Sequence, residues 1–230
     1  MLISVIIPAL NEAENIQACI EAARRGYNAE QVEIIVVDGG SSDGTPDLAP
    51  PGVTVVHSPR GRGVQMNQGA QVATGEGFVF CHADSYLPRG WYQAVVEVLR
   101  QPDVSGGNFQ PLISPAKGVL HLVNNIIFPT DWRIMFGDSA QFMSREIFEQ
   151  VGGFQDIPLM EDVEMSRALH NAGRLVRIRL RVETSSRRFL ERGATRQWLF
   201  TVWCMIRYLY LGASPEDIAR VYRSSREESA

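Results

Sequence analysis

Two short apolar runs near the start of the chain, residues 2–7 (LISVII) and 32–37 (VEIIVV), constrain the fold more than any other feature. Both runs are rich in β-branched residues, a pattern typical of strands buried on both faces of a parallel sheet. Between them, Ile16, Cys19, Ile20 and Ala23 recur at helical spacing. The sequence therefore predicts a βαβ unit at the start of the chain, with Asn11 capping its helix and Glu14 as capping-box partner.

The same alternation continues along the chain. We expect further strands at 53–56, 77–81, 104–110, 141–144 and 175–182, and helices near 63–74, 119–128, 161–172, 195–211 and 215–223. Because strands alternate with helices, the predicted class is α/β, a Rossmann-like, mainly parallel sheet with helices on both faces. No internal repeat, low-complexity tract or linker interrupts residues 1–230, so we expect a single domain.

Composition excludes several functions. The formal net charge of −4 gives no reason to expect a nucleic-acid partner. Three scattered cysteines do not form a disulfide framework or a zinc site. We expect no signal peptide, since the chain enters a strand pattern at once, and a cytoplasmic location, since the longest apolar stretch (198–206) is too short to span a bilayer.

Polar residues follow three of the predicted strands. In open α/β sheets, ligands bind outside the carboxyl ends of the strands. The first strand is followed by Pro8-Ala9-Leu10-Asn11-Glu12, the second by Asp38 with 41–45, and the fourth by His82-Ala83-Asp84. A carboxylate at such an end either contacts a nucleotide or holds a divalent cation, although a single Asp there more often forms a turn.

Three other clusters could carry chemistry, and each has a plainer interpretation. Arg60 and Arg62 lie in a glycine-containing loop that could clamp phosphates or be merely solvated. Glu161-Asp162 opens a helix, either as capping charges or as a general base. Residues 185–188 (SSRR), with Arg192 and Arg196, form a basic patch that suits phosphate or solvent equally well.

Other enzyme signatures are absent from the sequence. The four histidines are dispersed, there is no plausible Ser/His/Asp set, and neither GxxxxGK[ST] nor a GxGxxG after the first strand occurs. These absences argue against a zinc enzyme, a serine hydrolase, a P-loop NTPase and a dinucleotide oxidoreductase.

Five segments occur in a characteristic order: VIIPALNE (5–12), VVDGGSSDGT (36–45), FCHADS (80–85), GGF (152–154) and MED (160–162). In this order they resemble family 2 glycosyltransferases with the GT-A fold, over about residues 4–188. FGDSAQF (136–142), IPLMEDVEM (157–165) and TSSRRF (184–189) resemble the subgroup called arsenosugar-biosynthesis or radical-SAM/selenodomain-associated glycosyltransferases.

The resemblance implies an inverting enzyme that moves a sugar from a UDP- or GDP-sugar to the hydroxyl of a small or lipid-linked acceptor. Residues 1–110 would form the nucleotide-binding half, 111–190 the acceptor and catalytic half, and 191–230 the C-terminal helices. Asp162 would be the general base with Glu161 beside it, and Asp84 would bind Mg²⁺ or Mn²⁺. The nucleotide-sugar contacts would be Pro8, Ala9, Asn11, Glu12, Asp38, Arg62, Asn67 and Ala83.

The sequence departs from the family pattern at the first acid of the DxD motif, which is His82 here. Imidazole is a poorer ligand than carboxylate for hard cations, so the metal would rest mainly on Asp84 and the diphosphate. The QxxRW motif of processive members is also absent, which favours transfer of a single sugar. We hypothesise that Arg187 or Arg188 pairs with the leaving diphosphate instead.

Two alternative functions stay open: a sugar-phosphate nucleotidyltransferase and a nucleotide-binding scaffold that has lost catalysis. Three interpretations of the apolar segment WLFTVWCMIRYLYLG (198–212) also stay open. It could pack as core, form a homodimer interface, or lie on the inner face of a membrane as a peripheral contact.

Overall fold

The computed structural model describes residues 1–125 and 134–227, and only the backbone of Asn125, Arg188 and 223–227. The strands are β1 (Ile3–Ala9), β2 (Val32–Asp38), β3 (Thr54–His57), β4 (Gly77–Phe80), β5 (Ser85–Tyr86), β6 (Val104–Ser114), β7 (Gln141–Ser144) and β8 (Arg174–Ser185). The α-helices are α1 (Ile16–Arg24), α2 (Arg62–Val72), α3 (Trp91–Leu99), α4 (Val119–Asn125), α5 (Arg145–Gln150), α6 (Glu161–Ala172), α7 (Arg187–Glu191), α8 (Ala194–Tyr210) and α9 (Pro215–Glu227). The last three residues of the predicted helix 119–128 lie outside the described part.

These strands form one sheet in the order β3-β2-β1-β4-β7-β6-β8-β5. The first four strands pair in parallel, and β7 joins β4 in antiparallel fashion. Beyond β7, which pairs antiparallel with β6, β8 runs parallel to β6 and antiparallel to β5. The predicted α/β class is confirmed, and parallel pairs occur both among β1 to β4 and between β6 and β8.

Strand β1 extends past Pro8, where the sequence predicted its end. Proline lacks the N–H that a ladder needs, so it is excluded from strands paired on both sides. Here β4 pairs with β1 only as far as Ile6, whereas β2 accompanies β1 to Ala9. The missing N–H therefore costs no ladder bond, and β1 continues up to the cavity described below.

Apolar side chains cover both faces of the sheet. On one face Val5, Ile7, Ile34 and Val36 pack with α1 and α3 residues, and on the other Ile6, Ile35 and Val37 pack with α2, α5 and α6 residues. Helix α2 approaches closely because of Gly69, where a Cβ would lie 2.9 Å from the Val37 side chain. The prediction of a single domain, with a nucleotide-binding half (1–110), an acceptor half (111–190) and C-terminal helices (191–230), remains a prediction.

Candidate functional site

A cavity of about 990 Å³ opens where β1 and β4 end. Nine of the predicted donor and metal residues line it, together with the predicted base. The nine are Pro8, Ala9, Asn11, Glu12, Arg62, His82, Ala83, Asp84 and Arg187, and the base is Asp162.

The loop after β1 is locked to the loop after β2. The Asn11 N–H donates to Ser41 Oγ (2.9 Å), and Asn11 Oδ1 accepts from the Ser42 N–H (2.9 Å). The Glu12 N–H donates to Thr45 Oγ1 (2.9 Å). The predicted capping box is wrong, because the Asn11 side chain serves this inter-loop bond and α1 begins only at Ile16. The result is a rigid rim for the cavity.

Asp38 ends β2 and shapes the neighbouring loop. Its carboxylate accepts from the N–H groups of Gly40 and Ser41 (both 3.1 Å). Burial acts to raise the pKa of Asp38, but the hydrogen bonds from Ser41 and Gly40 outweigh it and lower the pKa overall. Asp38 is not among the residues that line the cavity, so its contact with the nucleotide-sugar remains a prediction.

Gln65, which the sequence analysis missed, ties the ends of β1 and β2 together. Its buried side-chain amide donates to the carbonyl oxygens of Ala9 (2.9 Å) and Val37 (2.8 Å). It lies on α2 in a segment with few apolar residues, so only its placement under the cavity identifies it.

Arg187 lines the cavity and pairs with the loop after β1. Its guanidinium contacts Glu12 Oε2 and Glu14 Oε2 (both 3.1 Å). Burial acts to lower the pKa of Arg187, but Glu12 and Glu14 raise it overall. A diphosphate would have to compete with these carboxylates for Arg187. The side chain of Arg188 lies outside the described residues.

Asp162 is held by backbone donors at the start of α6. The Gly137 N–H donates to Asp162 Oδ2 (2.7 Å), and the Val163 N–H donates to Oδ1 (2.8 Å). A Cβ at position 137 would lie 2.6 Å from His82 Nε2 and 3.5 Å from Asp162 Oδ2, so a larger residue would require the imidazole to shift. Gly137 therefore brings the imidazole of His82 and the carboxylate of Asp162 close together.

Glu161 is almost fully buried and pairs with Arg62. The Arg62 Nε lies 2.7 Å from Glu161 Oε1, and the Glu161 side chain is 1% exposed. Burial raises the pKa of Glu161 even though Arg62 opposes that shift. The pair anchors the arginine against α6, where it also lines the cavity.

Asp138 is a further carboxylate of the site, and it is not among the site residues predicted from the sequence. It is half-buried, its Oδ1 is shielded from solvent, and this oxygen accepts no hydrogen bond from any described residue. Burial, followed by the charges of Asp162 and Asp84, raises the pKa of Asp138 to about 6. Asp138 lies in the segment FGDSAQF, which carries part of the family resemblance, and this position is the sequence feature that could have identified it as a site residue.

Asn67 has a structural partner instead of a place in the cavity wall. Its amide donates to the Phe154 carbonyl (2.8 Å) and accepts from the Phe154 N–H (2.9 Å). Gly152 and Gly153 adopt positive φ (+83° and +74°) in the turn that this bond closes. The predicted contact of Asn67 with the nucleotide-sugar remains a prediction, and the structure places the residue outside the cavity.

A second cavity, of about 1240 Å³, adjoins the first. The two cavities share Arg62, His82, Asp84 and Asp162. The backbone links their walls, because the Ser185 N–H at the end of β8 donates to the Asp84 carbonyl (2.9 Å). Two ligands could therefore meet across one set of carboxylates.

The donor set suits a cation that takes part of its coordination from a ligand. Within residues 1–125 and 134–227, no three His, Cys, Asp or Glu side chains are grouped to hold a metal. Mg²⁺ is commonly bound by one or two carboxylates together with substrate phosphates. Asp84, with the acidic surroundings that raise the pKa of Asp138, fits such a site.

Known proteins resemble the chain in sequence. Glycosyltransferase AglE of Haloferax volcanii is 32% identical over 119 residues, covering 47% of this chain and 39% of that protein. A PGL/p-HBAD biosynthesis glycosyltransferase of Mycobacterium bovis is 36% identical over 94 residues, covering 37% of this chain and 36% of that protein. The chain thus matches well under half the length of these curated relatives.

Solved structures resemble it in fold. Mannosyltransferase PcManGT from Pyrobaculum calidifontis, in complex with GDP-Man and Mn²⁺, superposes with a TM-score of 0.60 at 22% identity, over 79% of this chain and 56% of that one. S. aureus TarS 1–349 in complex with UDP gives 0.65 at 18% identity, over 80% and 60%. These matches confirm the GT-A fold. The family model for glycosyl transferase family 2 matches residues 4–152, and the chain therefore belongs to that family.

Proposed function

We propose that the chain transfers a sugar from a nucleotide-diphosphate donor in the first cavity to an acceptor hydroxyl in the second, with inversion at the anomeric carbon. The observation that carries this proposal is the pair of cavities that share Asp84 and Asp162. The family membership and the bound ligands of the structural neighbours support it: GDP-Man with Mn²⁺ in PcManGT, and UDP or UDP-GlcNAc in TarS.

Asp162 is the general base of this proposal. The Gly137 and Val163 N–H groups fix its carboxylate at the junction of the cavities. A carboxylate so placed accepts the proton of the acceptor hydroxyl as its oxygen attacks the anomeric carbon. Glu161 acts through Arg62, because its carboxylate is already paired and buried. One base suffices for a single displacement, which is why inversion follows.

Asp84, with His82 beside it, would hold Mg²⁺ or Mn²⁺ together with the diphosphate. The cation, when bound, supplies charge neutralisation at the departing nucleoside diphosphate. Asn11, Glu12 and the backbone of residues 8–9 would line the nucleoside, and Arg62 would face the phosphates. Arg187 would exchange its contact with Glu12 for a contact with the diphosphate. This is the role hypothesised above for Arg187 or Arg188, since the DxD motif lacks one acid.

A nucleotidyltransferase is the weaker alternative, since it would need a glycine-rich, basic loop directly after β1, where this chain has Pro8-Ala9-Leu10-Asn11-Glu12. Membership of the arsenosugar-biosynthesis subgroup remains a prediction. So does a cytoplasmic location. Within the described residues, no helix combines the length and apolarity needed to cross a bilayer.

Helix α8 has an exposed apolar face that concerns two predicted partners, a second copy of the chain and a membrane surface. Its core interpretation is wrong for one face, because Leu199, Trp203, Ile206 and Tyr210 are exposed at helical spacing. A homodimer or a membrane surface remains the predicted partner of this face. Sedimentation with and without vesicles of anionic lipid separates the two predictions.

The test of the proposed function is turnover of a panel of UDP-, GDP- and dTDP-sugars with Mn²⁺ or Mg²⁺, read as release of nucleoside diphosphate. We expect Asp84→Ala to reduce release at least tenfold and Asp103→Asn, an exposed carboxylate just before β6, to leave it unchanged. Nucleotide binding without turnover of any donor would favour the inactive scaffold.

A further inference from the structure

The second cavity has an arginine-rich wall built by β8. The sequence alternates along this strand, and Val176, Ile178, Leu180 and Val182 pack in or against the core. The side chains between them, Arg177, Arg179 and Arg181, line the cavity. The alternation thus presents three guanidinium groups on one face of one strand.

Within the described residues, these three arginines have no carboxylate partner, whereas several other arginines do. Arg62, Arg174 and Arg187 each form an ion pair. Among the described residues, no acid lies within ion-pair distance of Arg177, Arg179 or Arg181; Arg177 has only a long contact to Asn108 Oδ1 (3.4 Å). Burial lowers the pKa of Arg177, with no neighbouring charge to offset it. An anionic ligand would supply the missing countercharge.

Another part of the cavity wall is apolar. It combines residues of β6, α4, α7 and α8: Ile113, Val123, Phe189, Trp198, Val202 and Met205. The indole N–H of Trp198 is buried and has no hydrogen-bond partner among the described residues. Such a wall suits an apolar body, and the free donor suits an oxygen atom on it.

Building on the proposed function, we propose that the acceptor is an amphipathic hydroxyl compound carrying a phosphate or carboxylate group. The arginines of β8 bind the anion, and the apolar body lies along the α8 wall. Its hydroxyl oxygen faces Asp162, which also lines this cavity. A bond forms between that oxygen and the anomeric carbon, the bond to the nucleoside diphosphate breaks with its electron pair, and Asp162 takes the proton.

The experiment measures binding of octyl phosphate, octanoate and octanol to the full chain by calorimetry. Arg179 and Arg181 are exposed, so the double variant Arg179→Gln/Arg181→Gln removes charge without opening the core. Each charge-assisted bond is expected to contribute about tenfold in Kd. We therefore expect a loss of about a hundredfold for the anions and no change for octanol. Arg100→Gln, exposed and outside both cavities, is the matched control.

Equal affinity for octanol and octyl phosphate, or anion binding that survives in a folded double variant, would overturn the proposal. The phosphate and carboxylate arms show which anion the wall prefers. UDP and GDP binding is measured on the same protein. If the anions bind through the arginines but neither UDP nor GDP binds, the proposed transferase function is overturned and the anion site stands. If UDP or GDP binds but the anions do not bind through the arginines, only the proposed acceptor class is overturned.

Discussion

Replacement of Asp138 by asparagine should stabilise the protein at neutral pH. The pKa of Asp138 is raised from 3.8 to about 6 by burial and by Asp162 and Asp84. Since one pKa unit corresponds to about 1.4 kcal/mol, ionisation of this carboxyl in the folded state costs about 3 kcal/mol. The folded state binds more protons than the unfolded state between about pH 4 and 6, so this penalty is absent below pH 4 and complete above pH 6.

Asparagine cannot ionise, so Asp138→Asn escapes the penalty. We expect the variant to be more stable than the parent by up to about 3 kcal/mol at pH 8 and by almost nothing near pH 4. Urea unfolding at pH 4.5, 6, 7 and 8, in EDTA to exclude bound cations, gives the difference. Asp103→Asn is the control of opposite sign, because the hydrogen bond from Arg174 lowers the pKa of that exposed carboxyl. A stability difference for Asp138→Asn that is constant with pH would refute the reasoning.

Three further outcomes follow from the site. Arg62→Met leaves Glu161 buried without its cation, so unfolding by urea at pH 8 should require about 3 kcal/mol less; an unchanged stability would contradict the buried pair. Gly137→Ala drives a methyl into His82, so kcat should fall at least tenfold with the fold retained by circular dichroism, and unchanged kcat would show that the spacing is not needed. Arg187→Ala combined with Arg188→Ala should weaken nucleoside-diphosphate binding at least tenfold in calorimetry; equal affinity would end the hypothesis of a diphosphate partner.

Helices and strands whose bounds depend on nearby residues were predicted well from the sequence. The bounds of β7 and α6 were predicted correctly, and α6 ends at Ala172 with Gly173 as its C-cap. Strand β5 was missed, since two residues carry no periodicity and it exists only by pairing with β8. The start of α1 was misplaced because the Asn11 side chain bonds to Ser42, 31 residues away.

In the candidate site, too, residues identified by a local rule were predicted, and contacts between distant residues were not. Rules on strand ends located His82 and Asp84, which the structure brings into the cavity wall. No local rule could show that Asn67 bonds to Phe154 or that Asp138 lies near Asp162 and Asp84. Those relations join residues that are far apart in the sequence, so they depend on the tertiary fold.

The activity of Asp162→Asn tests the central claim most directly. The variant keeps the size of the side chain and an oxygen for the Gly137 N–H, but it cannot accept the proton of an acceptor hydroxyl. With a donor that the parent turns over, we predict a fall in kcat of about 10²–10⁴-fold, while the Kd of the nucleoside diphosphate changes by less than about threefold. A variant with parental kcat would contradict the assignment of Asp162 as the base at the junction of the two cavities.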